Sequence, residues 1–238
     1  MQLSIIIPTF NERKNIAEIV PKLENLIKKL KAIAEIIVVD DSSPDGTADV
    51  ARRLNKKYGN IRVVLRHKKE GMGAAIKEGL DKADGNILIS MDVDSFDMQD
   101  VEKLYKKMME GYDVVLGSRH IKGGLYEKKF LKTWIKYAVS FLGNKIYKWI
   151  LIYAVNDFSL NFRAIKKEVW KRLDVHEKGN TFMPEIIAEA YFKGFKISQV
   201  PVAFRERALG KSKLNLTKES YRFLIKLASL VYKYKLNH

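Results

Sequence analysis

Asp92-Val93-Asp94 closes the apolar run Leu88-Ile89-Ser90-Met91 and sets two carboxylates one residue apart. An apolar run ending in acid is the pattern of a buried parallel strand surfacing at its carboxyl end, where open α/β sheets bind ligands. Carboxylates held together repel unless a cation lies between them, and a hard divalent ion shared with a phosphate suits such oxygens. A turn cap beside a solvated acid would account for the same two residues, so the rest of the chain has to decide.

Two upstream stretches also follow short apolar runs: Pro8-Thr9-Phe10-Asn11-Glu12 and Asp40-Asp41-Ser42-Ser43-Pro44-Asp45-Gly46-Thr47. Pro8, lacking an N–H, is expected to end its ladder. Phe10 could stack on a base and Glu12 could accept from a ribose or base donor, although an Asn-capped turn needs the same residues. Acids after a second strand are where nucleotide folds hold ribose hydroxyls, and Asp45 or Thr47 is expected to cap the helix that follows. Gly71-x-Gly73 opens a helix either as a phosphate loop or, more simply, for tight packing on the sheet. Arg119, after Gly117-Ser118, offers a planar fork to a phosphate unless it is a plain surface arginine.

The elements that must position these residues alternate. Strands are expected at Ile5 to Thr9, Glu35 to Val39, Ile61 to Leu65, Asn86 to Met91 and Asp113 to Gly117, with amphipathic helices between them, among them Thr47 to Tyr58 and Asp100 to Glu110. That order predicts an α/β fold, a mainly parallel sheet with helices on both faces. Further on, a strand is expected at Phe158 to Arg163, a helix at Thr181 to Lys193, a strand at Lys196 to Arg205 and a basic helical tail from Asn215 to Lys235. With no linker or low-complexity segment, residues 1–238 read as a single domain whose pattern changes after residue 124, dividing it into 1–124 and 125–238.

Composition narrows the function classes. Apolar residues make up 47% of the 238, enough for a core, and there is no cysteine for disulfides, thiolate metal sites or nucleophiles. No signal peptide and no membrane-spanning run are expected. Lys and Arg number 44 against 28 acids, a formal charge of +16 that asks for an anionic partner. A basic binding module without turnover would fit that charge but leaves the strand-end carboxylates unexplained, so no nucleic acid is expected.

Taken in order, Ile5-Ile6-Ile7-Pro8-Thr9-Phe10-Asn11-Glu12, Val38 through Thr47, Met91-Asp92-Val93-Asp94, Gly117 through Gly124 and Asp157 through Arg163 resemble the family 2 glycosyltransferases. The nearest branch is that of dolichyl-phosphate mannose synthase and related polyprenyl-phosphate sugar synthases. The resemblance implies a GT-A fold, a nucleoside-diphosphate sugar donor and a Mg²⁺ or Mn²⁺ ion. It implies that Pro8, Phe10, Glu12 and Asp41 line the nucleoside pocket and that Asp92 and Val93 lie beside the diphosphate. Asp94 would be the main metal ligand with Asp92 as the second carboxylate, and Arg119 would face a phosphate of acceptor or sugar. Arg207 and Lys213 match the basic segment that closes over donor phosphates.

The chain departs from the branch in two places. Phe96 stands where a Gln is usual, and Ser159-Leu160-Asn161-Phe162 replaces a Ser-Gly-Phe element. Absent too are the Glu-Asp pair and Gln-x-x-Arg-Trp motif of members that glycosylate hydroxyls. A hydroxyl acceptor needs a base, whereas a phosphate monoester is already ionised. The missing base favours dolichyl or polyprenyl phosphate as acceptor, while the resemblance implies inverting transfer, of mannose from GDP-mannose in the nearest branch, with residues 1–124 binding the donor and 125–238 the acceptor. A UDP-glucose-type donor, or a saccharide or protein hydroxyl acceptor, is the alternative.

Phe130, Trp134, Tyr137, Ala138, Phe141 and Leu142 recur at helical spacing, with Lys128, Lys132 and Lys136 as an opposing stripe. Such a helix suits a bilayer's headgroup boundary, or else packs on the sheet with a solvated lysine face. The tail, with Arg222, Lys226, Lys233 and Lys235, admits the same two readings. Membrane-facing amphipathic helices would hold the protein peripherally at the cytoplasmic face, alone or through a membrane-anchored partner subunit.

Overall fold

The computed structural model describes residues 2–93, 97–127, 131–204 and 216–237, with Lys132 by its backbone alone. Asp94, Phe96, Arg207 and Lys213 lie outside them, as do Lys128 and Phe130.

Strands β1 (Gln2–Thr9), β2 (Ile33–Asp40), β3 (Ile61–Leu65), β4 (Ile87–Met91) and β5 (Val114–Ser118) alternate with helices α1 (Arg13–Leu30), α2 (Thr47–Tyr58), α3 (Met72–Lys82) and α4 (Met98–Met109). Then come β6 (Leu125–Tyr126), α5 (Leu131–Ile150), β7 (Phe162–Lys166), α6 (Lys167–Trp170), α7 (Phe182–Phe192), β8 (Ile197–Pro201), β9 (Ala203–Phe204) and α8 (Leu216–Val231), which runs into a π-helical turn, Tyr232–Leu236. The main sheet is seven-stranded in the order β3-β2-β1-β4-β7-β5-β8, while β6 and β9 form a small parallel pair.

Every pairing in the main sheet is parallel except those of β7, which runs antiparallel to β4 and β5. The strand expected at Phe158 to Arg163 thus begins at Phe162, because Asp157 and Ser159 take loop hydrogen bonds there. The strand expected over Lys196 to Arg205 is split into β8 and β9.

Strand parity sorts the core into two layers. Leu3, Ile5, Ile7, Ile36, Val38, Ile87, Ile89 and Met91 pack with α1, α2 and α4. Ile6, Ile37, Val39 and Leu88 pack with α3 and with residues of α5, α7 and α8. Successive strand side chains alternate between faces, so Ser90 and Asp92 share the parity of Leu88, on the α5–α8 side. Gly71 and Gly73 are in tight contact as expected, but with the 178–182 segment and not with the sheet. A Cβ on Gly73 would come within 2.5 Å of the Gly179 carbonyl oxygen and of Phe182, whereas the helix–sheet contact falls at Gly79, whose Cβ would lie 2.4 Å from Ile6.

Pro8 does not end its strand. Pairing with β2 continues through Pro8↔Val39 to Thr9↔Asp40, and it is on the β4 side that it stops, at Ile6↔Ser90. Proline loses a donor but keeps its carbonyl.

Candidate active site

The loops leaving β1 and β2 form one edge of the site and are laced together. Asn11 N donates to Ser43 Oγ (2.9 Å), Glu12 N to Thr47 Oγ1 (3.0 Å) and Arg13 N to Asp45 Oδ2 (3.1 Å). Asn11 and Ser42 both adopt positive φ, 61° and 53°, which turns each loop back toward the other. Asp45 Oδ1 accepts from Thr47 N (3.0 Å), so the expected cap is Asp45, one residue before the N-cap Gly46.

Asp40 is fully buried and accepts from Thr9 Oγ1 and Ser43 N. Asp41 pairs with the buried Arg66, which also meets Glu78 (2.9 Å) and Glu70 (3.4 Å). Burial pushes the Asp41 carboxyl above its ordinary value, and Arg66 draws it back. Glu12 accepts from Asn15, and the Phe10 ring lies 3.5 Å beneath Lys69 Nζ. Pro8 is paired with Val39 near the end of β1, and Phe10, Glu12 and Asp41 lie on the loops leaving β1 and β2. Asp40 and Arg66 hold this edge together; neither is singled out by sequence, since a buried structural acid and a ligand-binding acid look alike there.

Beyond β4, Asp92 opens onto a cavity of about 590 Å³ and Val93 turns into the core. Asn161 Nδ2 donates to Asp92 Oδ1 (2.9 Å), and Ser90 Oγ donates to Asn161 Oδ1 (3.1 Å). Arg163, wholly buried, donates to the carbonyls of Leu160 (2.6 Å) and Met183 (3.1 Å). Burial brings its guanidinium down to about 10, so it stays charged at neutral pH.

Arg119 forms the next part of the cavity floor. Its Nε and Nη2 reach Asp157 Oδ2 (2.8 Å) and Oδ1 (2.9 Å), and Nη2 also meets Ser159 (2.7 Å) and Ser140 (3.3 Å). The rings of Tyr126 and Phe204, brought together by the β6–β9 pair, each lie 5.3 Å from the guanidinium. Burial alone would raise the Asp157 carboxyl; the Arg119 charge outweighs it and holds the group below its usual value. Arg119 is therefore an anchored wall residue and not a free surface arginine. Asn144 Oδ1 accepts from Phe158 N (2.7 Å), fixing the loop to α5. Ser140 and Asn144 went unnoticed in sequence because they interrupt an apolar helical face.

Helices α5 and α8 are the cavity's walls, with Lys136, Val139, Leu142, Ile146, Phe223 and Leu224 among the lining residues. Tyr147 donates to the Phe223 carbonyl (2.6 Å), tying one wall to the other. The aromatic face expected on α5 is divided. Tyr137 and Phe141 pack with His120 and Tyr126, whereas Trp134 and Leu142 are 53% and 60% exposed. Lys136 lines the cavity instead of standing in a solvated stripe.

The tail differs too. Lys226 meets Glu185 (2.7 Å) and Lys233 meets Glu189 (2.7 Å), so both turn inward to α7 because buried carboxylates there need a counter-charge. Burial opposes the charge on Glu189, yet its partners hold its carboxyl down to about 2. No helix among the described residues is long and apolar enough to cross a membrane.

Among the described residues no three His, Cys, Asp or Glu side chains converge as a metal cage. Asp92, a hard oxygen donor at a strand end, still fits Mg²⁺ or Mn²⁺, since Mg²⁺ is usually held by one or two carboxylates together with substrate phosphates.

The Glycosyl transferase family 2 sequence profile matches residues 4–170. Dolichol-phosphate mannosyltransferase of Pyrococcus furiosus is 33% identical over 216 residues, 90% of this chain and 59% of that protein. Polyprenol monophosphomannose synthase of Mycolicibacterium smegmatis is 32% identical over 219 residues, 89% of this chain and 80% of that protein. The chain thus spans less than two thirds of the first relative's length.

Among solved structures, mannosyl-3-phosphoglycerate synthase from Rubrobacter xylanophilus superposes with a TM-score of 0.75 at 18% identity, over 98% of this chain and 75% of that one. Glucosyl-3-phosphoglycerate synthase from Mycobacterium tuberculosis, in complex with Mn²⁺, uridine diphosphate and phosphoglyceric acid, gives 0.72 at 19%, over 96% and 78%. At such identities the likeness is one of fold.

Proposed function

The chain belongs to glycosyl transferase family 2 and has the GT-A fold, and on that premise we propose that it moves mannose from GDP-mannose to a dolichyl or polyprenyl phosphate. One observation carries this reading: a single cavity has Asp92 and Arg119 at its polar floor and apolar residues of α5 and α8 along its walls. A phosphate on a long apolar chain has that same division. The two mannosyl-transferring relatives, by their names, support the sugar and the acceptor class.

Residues 1–238 act as one catalytic unit in this proposal. The nucleoside lies in the crevice of Pro8, Phe10, Glu12 and Asp41, and the diphosphate beside Asp92 and Val93. Asp92 and Asp94 hold Mg²⁺ or Mn²⁺, which when bound offsets the charge gathering on the departing nucleoside diphosphate. Arg207 and Lys213 add cationic donors to those phosphates.

The acceptor phosphate sits against Arg119, with Lys136 and Ser140 as further donors. One of its oxygens bonds to the anomeric carbon as the bond to the donor's diphosphate breaks on the opposite side, so configuration inverts. No base is needed because the attacking phosphate is already ionised. The exposed apolar residues of α5 and α8 rest on the cytoplasmic face of a membrane, directly or beside a membrane-anchored subunit, and anionic headgroups attract the surrounding lysines.

The test is a panel of GDP-mannose, UDP-glucose and related donors against polyprenyl phosphate and free sugars, with Mg²⁺ or Mn²⁺ and with chelator. Metal-dependent mannosylation of polyprenyl phosphate is expected; preference for a free sugar or a glucosyl donor would replace this reading.

A further inference from the structure

We propose that Asn161 is a positioning residue that holds Asp92 in its ligand-binding orientation, in a role that rests on the reading of Asp92 as part of the donor site. β4 and β7 run antiparallel, their last paired residues being Met91 and Phe162. One step past that pair, Asp92 and Asn161 face each other as the strands leave the sheet. Asn161 is 2% exposed, yet its side chain reaches the cavity floor.

The order of the hydrogen bonds fixes which way the amide points. Ser90, fully buried, donates its hydroxyl to Asn161 Oδ1, which leaves Nδ2 to donate to Asp92 Oδ1. A hydroxyl can donate and a carboxylate only accepts, so between them the site needs one acceptor and one donor, the two ends of a carboxamide. Aspartate at 161 would set like charges together, and glycine or alanine would leave the buried Ser90 hydroxyl without its acceptor.

The backbone beneath Asn161 is itself pinned. Arg163 holds the Leu160 carbonyl at 2.6 Å and the Met183 carbonyl at 3.1 Å, so the loop entering β7 is tied to the first turn of α7. The resulting chain runs from Ser90 to Asn161 to Asp92.

Binding of GDP and of UDP, each with Mn²⁺, to the intact protein tests this by calorimetry, with thermal melting as the check on folding. Asn161→Ala is expected to raise the Kd of the tighter Mn²⁺–nucleotide about tenfold, the scale of a hydrogen bond to a charged group. Ser90→Ala, which only frees the amide to turn, should raise it about threefold. In an Asp92→Asn background the effect of Asn161→Ala should shrink to less than half its fold-change, because the two residues act as a pair.

Wild-type affinity in Asn161→Ala, or an equal loss with and without the Asp92 carboxylate, would overturn the positioning role and leave the donor site standing. Should Asn161→Ala fail to fold, Ser90→Ala decides, and an unchanged Kd there overturns the role. A wild-type protein that binds neither nucleotide with Mn²⁺ would instead remove the donor-site reading on which the role depends.

Discussion

Two buried arginines flank the site and are neutralised in different ways. Arg66, on the proposed donor side, is shared by Asp41, Glu70 and Glu78. Arg119, on the proposed acceptor side, has Asp157 as its carboxylate, with hydroxyls of Ser140 and Ser159 and two aromatic rings in its surroundings. Glu70 and Glu78 also pair with Lys178 and Lys82, so the charge around Arg66 is spread over a network of acids and bases. Arg119 is instead balanced by Asp157 in a buried, low-dielectric setting.

That contrast breaks most directly at Asp157. Asp157→Ala leaves the Arg119 charge buried without a carboxylate and should cost about 3–5 kcal/mol of stability in denaturant unfolding. Glu78→Gln, by comparison, leaves Arg66 with Asp41 and Glu70 and should cost less than about 1 kcal/mol. Equal losses would mean that the two arginines are held alike.

The catalytic counterpart comes next in size. Asp94→Ala and Asp92→Ala should each lower metal-dependent transfer by about 10²–10³-fold while the thermal midpoint holds; full activity in either would remove that carboxylate from the site. A smaller and one-sided effect is expected on the walls. Trp134→Ala combined with Leu224→Ala should weaken sedimentation with anionic vesicles and raise the KM for a polyprenyl phosphate about tenfold, with the KM for the nucleotide sugar unchanged. A matching change in donor KM would show that the two sides are not separable.

The smallest effect belongs to His120, beside Asp157 and Arg119 and packed on Tyr137 and Phe141. Burial pushes its imidazole below the ordinary value of 6.5. The folded state thus binds this proton less readily than the unfolded chain, so stability is intact above that value and declines as pH falls through it. His120→Gln should flatten that part of a stability–pH profile.

The two sides also differed in how legible they were. The apolar runs of β1, β2 and β4 mark the strands and where they end, and so Asp41 and Asp92 could be placed at strand ends from their neighbours alone. Nothing local marks Arg66 as the partner of Asp41 or Asn161 as that of Asp92, since those contacts span the sheet. On α5 the period of apolar residues identifies the helix but not its inward side. Ser140 and Asn144 face in because Arg119, Asp157 and the Phe158 N–H need partners there, and Trp134 is left outside. Lys226 and Lys233 misled for the same reason, as their carboxylates lie on α7.

The place of β7 also bears on the order in which the chain can assemble. β3, β2, β1 and β4 are neighbours built from the first 91 residues. β5 is made next but cannot join them until residues 162–166 arrive to lie between it and β4. During synthesis the β3-β2-β1-β4 side of the sheet can close early, whereas β5 must wait for a contact with β7 made late and far along the chain. Pulse-labelling hydrogen exchange should accordingly find the amides of β1 and β2 protected before those of β5.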